Sequence, residues 1–495
     1  MALGITVMML GIIFGLAKLS PETKSPAAGL PERKMTLAGT FYPKEREVLN
    51  QQMDKYLGQA TKMERAAPMR ILMVPHAGLD YSGPTGGAGF KQIEGETINQ
   101  VIIVGTSHYH QFSGAAIMAE GEWETPMGNS GIDSQLANKI LSPEQKITAD
   151  TKMFDKEQSI EVPAVWVKKT LPEAKIVPIL IGLANNELVS ALAYRIAQNM
   201  SKQTLVVVST DLSHYPDYQN AVKTDQRTIE AILSGSKTGL ELGIAEITKS
   251  QVKNLETTAC GYEALRVAEK VAELLALDEP VLIKYQNSGD TSGDKTRVVG
   301  YAAIGFTGEN ISLVPPQLEE SAQEEAREIA KQTLEDYVRN KKIPGERPIK
   351  NEVLNDPLGA FVTLDKNDNL RGCMGEFEPA KPLYKIIQER TIAAASSDPR
   401  FRPVSPDELG EISLEISVMT PRQKIADWKE IELGKDGVVI VQGNHSGTFL
   451  PQVATETGWK LEELLGQLCS QKAGLPANCY LDGQTELFTY QAQVF

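Results

Sequence analysis

The chain has 495 residues, and its 64 Asp and Glu outnumber its 50 Lys and Arg, which gives a formal net charge of −14. This acidic balance argues against nucleic acid as a partner, because such binding needs many basic side chains to neutralise phosphates. A hydrophobic fraction of 41% with 23% charged residues is typical of a globular protein, and the length predicts more than one domain.

The chain begins with an apolar run at residues 2–17, and its first charged side chain is Lys18. This run is shorter than the roughly 20 residues of a relaxed transmembrane helix, and no basic residue precedes it as in a signal peptide. Basic residues follow the run, so the positive-inside rule favours a cytoplasmic body tethered to a membrane through residues 2–17. The alternatives are a cleaved signal, hence export, and a translation start at Met35. We assign residues 1–34 to this segment and its Pro-rich linker.

Residues 35–308 alternate continuous apolar runs with helix-like segments such as 187–200 and 261–274. The runs are rich in β-branched residues, as expected of strands that are buried on both faces. The six strand candidates are residues 71–74, 101–105, 176–181, 205–209, 281–285 and 298–306. The alternation predicts a layered α/β domain with a mixed, mostly parallel sheet that is flanked by helices.

Residues 309–316 form a predicted linker, because Pro315 and Pro316 cannot continue a helix. Apolar residues then recur at spacings of three and four from Leu318 to Val338, which predicts an amphipathic helix. The remainder mixes strand-like and short helical segments, so we expect residues 317–495 to form a separate α+β domain. Its strand candidates are residues 361–364, 414–419, 438–441 and 487–495.

Three of the predicted strands in the first domain run into a histidine. His76 follows the first, His108 the second (with His110 beside it) and His214 the strand at 205–209; the chain has only five histidines in all. In open α/β sheets, ligands bind outside the carboxyl ends of the strands. If these strands are parallel neighbours, the three imidazoles meet at one edge of the sheet. The sequence therefore predicts a metal or acid/base site there.

Cys260 is the fourth candidate of this site, since it immediately precedes the helical segment 261–274. A thiol at a helix N-terminus is expected to have a lowered pKa, and a bound metal would lower that pKa further. The alternative for Cys260 is a buried and inert thiol. The four cysteines of the chain have no CxxC spacing, and we expect isolated thiols, as in a reducing compartment, rather than a disulfide scaffold.

The first domain resembles the Memo family, whose fold is similar to that of class III extradiol-type non-haem iron dioxygenases. The resemblance implies that His76, His108 and Cys260 are metal ligands, that His214 is an acid/base residue and that Asp211 orients it. Tyr81, Trp123 and Glu161 lie in or beside family motifs and are candidates for substrate contact. The motifs that carry the resemblance are AGTFYP (38–43), PHAG (75–78), GTSHYH (105–110), WETPMG (123–128), DLSH (211–214), ACGY (259–262) and SGDTSGDKTRVVGY (288–301).

Two imidazoles and one anionic ligand suit mononuclear Fe(II), while the thiolate of Cys260 is softer than a carboxylate and also suits copper or zinc.

One residue departs from the family pattern. The family motif reads Glu-His-Ser-(Ile/Leu)-Glu, whereas this chain has EQSIE at 157–161, with Gln158 at the position of the histidine. An amide can hydrogen-bond but cannot carry a proton in its place.

Residues 317–495 resemble the AMMECR1 domain, with the motifs GAFVTL (359–364), LRGCMG (370–375), DPRFRPV (398–404), LEISVMTP (414–421) and FLPQV (449–453). Gly or Pro residues interrupt the segments that contain Arg371, Cys373 and Arg400, so we expect these segments to be loops. The three residues are candidates for a cleft that takes an anionic or carbonyl group. A nucleophilic role for Cys373 and a purely structural role are the alternatives. Cys469 and Cys479 are expected in the core and in a loop, with no further role.

The combination of the two domains resembles the AmmeMemoRadiSam set, in which Memo and AMMECR1 proteins accompany a radical S-adenosylmethionine enzyme. The chain has no Cx₃Cx₂C motif, so that enzyme is expected to be a separate partner. The leading hypothesis is a non-haem iron oxidoreductase, related to dioxygenases, that acts on a small molecule or peptide. The alternatives are a non-catalytic scaffold that binds a metal or peptide, and a metal-dependent hydrolase.

Overall fold

A computed structural model of the protein describes residues 32–314, 317–367, 369–377, 381–420 and 422–495. The apolar run at 2–17, and with it the predicted tether, lies outside the described residues. Within the described ranges, no helix is both long enough and apolar enough to cross a membrane.

The first domain is built on an eight-stranded mixed sheet, as the sequence predicted. The strands are, in chain order, Met69–Val74 (β1), Gln100–Thr106 (β2), Ala115–Ile117 (β3), Ile147–Ala149 (β4), Lys175–Ile181 (β5), Thr204–Ser209 (β6), Val281–Asn287 (β7) and Gly300–Thr307 (β8). Their spatial order is β7-β8-β1-β6-β2-β5-β3-β4, and the neighbouring strands β1, β6, β2 and β5 run parallel to one another. Strand β8 runs antiparallel to β1, and β3 runs antiparallel to β5.

Helices cover both faces of this sheet, which explains why its strands read as continuous apolar runs. In β1, Ile71 and Met73 face one hydrophobic core, while Leu72 and Val74 face the other. The first core is closed by α3, α5, α6, α7 and α8, and the second by α1, α2 and α4. The helices are Arg46–Gly58 (α1), Leu79–Lys91 (α2), Ser134–Ile140 (α3), Gln158–Thr170 (α4), Asn186–Gln198 (α5), Tyr218–Ile232 (α6), Lys237–Lys249 (α7), Tyr262–Leu275 (α8) and the short Ser288–Ser292 (α9).

The structured part of the first domain starts earlier than residue 35, the boundary expected from the sequence. Glu32–Arg33 pairs as a short strand with Glu122–Trp123, which in turn pairs with Ser130–Gly131. Arg33 is buried, forms an ion pair with Glu161 and lies over the ring of Trp123, 4.5 Å from its centroid. The segment before residue 35 is therefore in part an integral element of the domain.

The second domain is α+β, as predicted, and contains two antiparallel four-stranded sheets. The first has the order β10-β9-β11-β16 and the second the order β12-β15-β13-β14. Its strands are Gly359–Lys366 (β9), Asn369–Glu376 (β10), Ile412–Met419 (β11), Gln423–Ile425 (β12), Gly437–Gln442 (β13), His445–Phe449 (β14), Glu486–Tyr490 (β15) and Ala492–Val494 (β16). Its helices are Glu320–Asn340 (α10), Leu383–Ser396 (α11), Gln452–Thr457 (α12) and Leu461–Gln467 (α13).

Three predictions for this domain were wrong. The alternating segment 487–495 is two strands in different sheets, because the chain leaves the second sheet after Tyr490 and joins β11 through β16. Arg371 and Cys373 lie on β10 rather than in a loop. Cys469 and Cys479 form a disulfide, with Cα atoms 5.9 Å apart, rather than two isolated thiols. A separation of ten residues matches no recognisable disulfide spacing, so nothing in the sequence indicated this pairing.

The two domains pack together through buried charges. Lys270 of α8 forms an ion pair with Asp356 at 2.8 Å, and the Asp356 carboxylate is almost fully buried. Lys237 of α7 pairs with Glu352, and the Tyr384 hydroxyl donates to Glu187 at 2.9 Å. All three contacts join a residue of the first domain to one of the second, so the domains are held by specific ion pairs and hydrogen bonds.

Candidate metal centre

The predicted histidine site forms at the carboxyl edge of the first sheet. Strand β6 lies between β1 and β2 and runs parallel to both. The loops that follow these three neighbouring strands carry His76, His108 and His214. The prediction that the three strands would be parallel neighbours is therefore confirmed.

His76, His108 and Cys260 converge at this edge. One ring nitrogen from each histidine and the Cys260 Sγ all lie within 4.8 Å of one another. The shortest approach is between Cys260 Sγ and His76 Nε2, at 3.3 Å, and the two imidazoles are nearly perpendicular with ring centroids 5.1 Å apart. These are the three residues that the family resemblance implied as ligands.

Hydrogen bonds fix the orientation of both imidazoles. His76 Nδ1 lies 2.8 Å from the Ser209 hydroxyl, at the end of β6. His108 Nδ1 lies 2.8 Å from a carboxylate oxygen of Glu157, and the His108 backbone N–H donates to the other oxygen at 2.9 Å. Because each Nδ1 is engaged, Nε2 is the ring nitrogen that each histidine can offer to a metal, as is usual for metal-binding histidines.

The protonation states of these groups favour a bound cation. Burial lowers the pKa of His76 to about 4, so its imidazole is neutral at neutral pH and has a lone pair to offer. Burial alone would raise the pKa of Glu157, but hydrogen bonds from His108 outweigh it and hold that pKa below its usual value. The site thus contains the neutral imidazole of His76 near the carboxylate of Glu157, whose pKa is lowered.

The expectation of a lowered pKa for Cys260 was wrong for the chain alone. Burial raises the pKa of this thiol, and the Asp211 carboxylate raises it further. These effects outweigh the backbone N–H of Asp211, which donates to Sγ at 3.3 Å. A divalent cation between Cys260 and the histidines would supply the positive charge that a thiolate needs. The donor set of two imidazoles and one thiol therefore fits a transition metal.

His214 also lies close to Cys260. Asp211, His214 and Cys260 form a second group whose candidate ligand atoms lie within 4.8 Å of one another. His214 Nδ1 lies 2.9 Å from the Leu212 carbonyl, so the carbonyl rather than the Asp211 carboxylate orients the ring. Asp211 instead accepts from the backbone N–H of His76 at 2.8 Å. Asp211 thus holds the loop that contains His76, whereas we had predicted that it orients His214. The Nε2 atom of His214 remains free.

The three predicted substrate contacts of the first domain have different surroundings. Tyr81 is 47% exposed, near the start of α2. Trp123 is fully buried and packs against Phe154. Glu161 is also fully buried, and its oxygens accept from residues of the 33–42 segment, including the Tyr42 hydroxyl at 2.5 Å. Trp123 and Glu161 therefore anchor the N-terminal segment, and only Tyr81 retains a surface on which to meet a substrate.

Glu157 and Tyr301 lie at the centre but were not among its predicted residues. Glu157 was recognised only as part of a motif, although it orients His108. The neighbouring Gln158 has a buried side-chain oxygen with no hydrogen-bond partner among the described residues. Tyr301 is buried on β8, and burial followed by the Asp211 carboxylate raises its pKa. Glu157 and Tyr301 lie within motifs of the family resemblance, which was the signal available for them.

In the second domain, Arg371, Cys373 and Arg400 form a separate cluster. Arg371 forms an ion pair with Glu408 at 3.0 Å, and Arg400 forms one with Asp398 at 2.7 Å. The Arg400 guanidinium also donates to the Cys373 carbonyl at 3.3 Å. These residues are therefore brought together, as the prediction of a shared cleft requires.

A layered α/β domain with a His–His–Cys site at the carboxyl edge of its sheet, followed by an α+β domain, defines the class of this protein. A family model described as "Memo-like protein" matches residues 33–305, and a second one, described as "AMMECR1", matches residues 327–495. The chain belongs to the Memo-like family and carries a C-terminal AMMECR1 domain.

Individual proteins are similar to parts of this chain. A MEMO1 family protein from Nitrosopumilus maritimus is 31% identical over 280 residues, which are 55% of this chain and 99% of that protein. A protein from Methanothermobacter thermautotrophicus is 44% identical over 176 residues, which are 34% of this chain and 90% of that protein. Among solved structures, uncharacterized protein PH0010 from Pyrococcus horikoshii is 34% identical and covers 36% of this chain and 92% of its own, with a TM-score of 0.34.

Proposed function

We propose that this protein is an oxidoreductase that uses a single iron ion held by His76, His108 and Cys260. The observation that carries the proposal is the convergence of two oriented imidazoles and one thiol within 4.8 Å at the carboxyl edge of the sheet. Three protein ligands leave coordination positions open, as in ferrous sites that bind oxygen and substrate together. When bound, ferrous iron would supply the redox chemistry for oxidation or ring cleavage. Copper and zinc are the alternatives that the soft thiolate admits.

The residues around the ligands supply positioning and proton transfer. His214 has one ring nitrogen bonded to the Leu212 carbonyl, so Nε2 is free to take a proton from a substrate hydroxyl and to return it. Glu157 and Ser209 hold the ligand rings in place, so little reorganisation is needed when the site is filled. Burial of His76 limits the access of water to this side of the centre.

The substrate in this proposal is a small molecule or a peptide that reaches the centre past Tyr81, whose ring is partly exposed. We further propose that a radical S-adenosylmethionine enzyme is a separate partner, in keeping with the set of proteins that the two domains resemble. A pull-down of the full chain from its native host, with the partner identified by mass spectrometry, tests this point.

Metal analysis of the protein purified without oxygen tests the proposed centre directly. We expect close to one iron per chain, and loss of most of it in His76→Ala and Cys260→Ala. His445→Ala is the matched control, because His445 is exposed in the second domain and its Nδ1 lies 3.1 Å from the Ala473 carbonyl. Absence of metal from the wild type, or full retention of metal in both site variants, would contradict the proposal.

Oxygen uptake separates the proposed activity from the alternatives. With catechol-like compounds and peptides as probes, we expect uptake that requires iron and falls at least 100-fold in His214→Ala, a typical loss for an acid/base residue. Bound metal without turnover, together with partner binding that His214→Ala leaves intact, would instead identify a scaffold. Bound zinc with hydrolysis in the absence of oxygen would identify a hydrolase.

A further inference from the structure

The second domain carries a half-buried thiol on its first sheet. Cys373 of β10 is paired in register with Thr363 of β9, which is paired on its other side with Glu415 of β11. The Thr363 hydroxyl donates to Cys373 Sγ at 3.4 Å. Val362 and Leu364, the neighbours of Thr363 along β9, are fully buried in the cores beneath the opposite face. Cys373 therefore points away from the main core of the domain.

Two arginines lie beside this thiol. The guanidinium groups of Arg371 and Arg400 approach the ring of Phe401, at 6.0 and 5.5 Å from its centroid. The Cys373 backbone connects to the same cluster, because its N–H donates to Asp398 at 2.9 Å and its carbonyl accepts from Arg400. The thiol, both guanidinium groups and the aromatic ring thus form one connected cluster.

The acidic partners do not use all of the donors in this cluster. Arg371 binds Glu408 through Nε and Nη2, but its Nη1 is buried and has no hydrogen-bond partner among the described residues. A buried donor without an acceptor costs free energy, so an anionic oxygen placed there would be stabilised.

We propose that Cys373 is the nucleophile of a second site, which takes a small molecule with an electrophilic carbon next to a carboxylate. The carboxylate accepts hydrogen bonds from the free Nη1 of Arg371 and from the exposed side of the Arg400 guanidinium. The thiol first gives its proton to solvent. The thiolate then forms a sulfur–carbon bond, and the leaving group departs with the electron pair of the bond that breaks. Asp398 and Glu408 offset the charge of the two arginines, so the free N–H groups, and not net charge, select the anion.

Two electrophiles that differ only in charge test this site on the full chain. Iodoacetate carries a carboxylate and iodoacetamide does not, and in both cases iodide leaves as the sulfur–carbon bond forms. Peptide mapping by mass spectrometry measures the rates at Cys373 separately from those at Cys260. We expect the iodoacetate-to-iodoacetamide rate ratio to be about 2–5-fold higher at Cys373 than in a free peptide of residues 369–376, the range that exposed charge pairs give.

Single substitutions then assign the effect. Arg371→Gln and Arg400→Gln should each lower the ratio toward that of the free peptide, whereas Arg400→Lys, which keeps the charge, should retain more of it. Arg297→Gln is the control, since Arg297 is an exposed arginine of the first domain. A wild-type ratio equal to that of the free peptide would overturn the proposal, and this comparison requires no variant to fold. A ratio unchanged in both glutamine variants, or a Cys373 that reacts with neither reagent, would overturn it as well.

Discussion

The carboxylate of Glu157 binds both the ring and the backbone of His108, through Nδ1 at 2.8 Å and the backbone N–H at 2.9 Å. Glu157 is fully buried and lies at the N-terminus of α4, where it also accepts from the Ser159 N–H. One carboxylate thus fixes the loop after β2, the direction of the imidazole and the start of a helix. This arrangement presents His108 Nε2 to the other ligands before any metal arrives.

We predict that Glu157→Gln weakens metal binding about 10–100-fold, the usual effect of losing a residue that orients a ligand. The amide keeps the shape of the side chain, but only its oxygen can accept a hydrogen bond. It therefore cannot give each of the two N–H groups of His108 a charged oxygen, as the carboxylate does. The metal affinity is measured by competition with a chromophoric chelator. Glu47→Gln, an exposed substitution on α1, is the control and should leave the affinity unchanged. An affinity equal to that of the wild type in Glu157→Gln would show that the orientation of His108 does not depend on this carboxylate.

The location of this centre could be predicted from the sequence because most of its residues follow the ends of neighbouring parallel strands. His76, His108 and His214 each follow a buried strand, and neighbouring parallel strands end at the same edge. Glu157 could not be placed in this way, since it lies 49 residues after His108 and reaches it only through the packing of α4 against the sheet. The pKa of Cys260 was also mispredicted, because burial outweighs the helix terminus and only the structure reveals the degree of burial.

The fold of the first domain was more predictable than that of the second for a related reason. Strands buried on both faces, such as β1 and β6, are unbroken apolar runs that stand out in the sequence. Strand β10 has only one buried residue, Gly372, and its two glycines resemble turn signals. Gly372 packs so closely against α11 that a Cβ atom would lie 2.3 Å from the Ala394 carbonyl oxygen. That glycine thus serves strand–helix packing, which the local sequence alone does not distinguish from a loop.

Cys260→Asp should change which metal the centre prefers. A carboxylate is harder than a thiolate, so we expect the variant to keep iron or manganese and to bind copper and zinc less well relative to the wild type. Cobalt substitution provides the readout, because a thiolate ligand gives an intense near-ultraviolet charge-transfer band. This band should be present in the cobalt-loaded wild type and absent in Cys260→Asp. Cys373→Ser is the control and should retain the band. A band that survives in Cys260→Asp would mean that Cys260 is not a ligand.

The buried carboxyl group of Glu269 should make stability depend on pH. Both of its oxygens lack hydrogen-bond partners among the described residues, and burial, followed by the charge of Glu273, raises its pKa from 4.5 to about 8. Below about pH 4.5 the folded and unfolded states both carry the proton, whereas between about pH 4.5 and 8 only the folded state retains it. This group therefore favours the unfolded state increasingly as the pH rises through that window, and the loss of stability is complete above pH 8.

Glu269→Gln removes this titration, so it should stabilise the protein relative to the wild type by about 3–5 kcal/mol near pH 8 and by far less at pH 5. Urea unfolding followed by tryptophan fluorescence at the two pH values gives the difference. Glu279→Gln, at an exposed position after the same helix, should show no such dependence. An equal effect of Glu269→Gln at both pH values would rule out the titration of Glu269 as its cause.

The ion pair between Lys270 and Asp356 should be critical for the packing of the two domains. Lys270→Met leaves the Asp356 carboxylate buried without its cation, and breaking a buried pair from one side costs about 3–5 kcal/mol. Adding Asp356→Asn removes the buried charge that has no partner. The double variant should therefore recover more than half of the free energy of unfolding that Lys270→Met loses. The free energy of unfolding, together with the rate of proteolysis in the 309–317 segment, reports the effect. As a control, Lys62→Met, which breaks a pair with Glu96 at the surface, should leave both measurements nearly unchanged. If Lys270→Met alone were as stable as the wild type, or if Asp356→Asn deepened the loss, the charge pair would not be what holds the domains together.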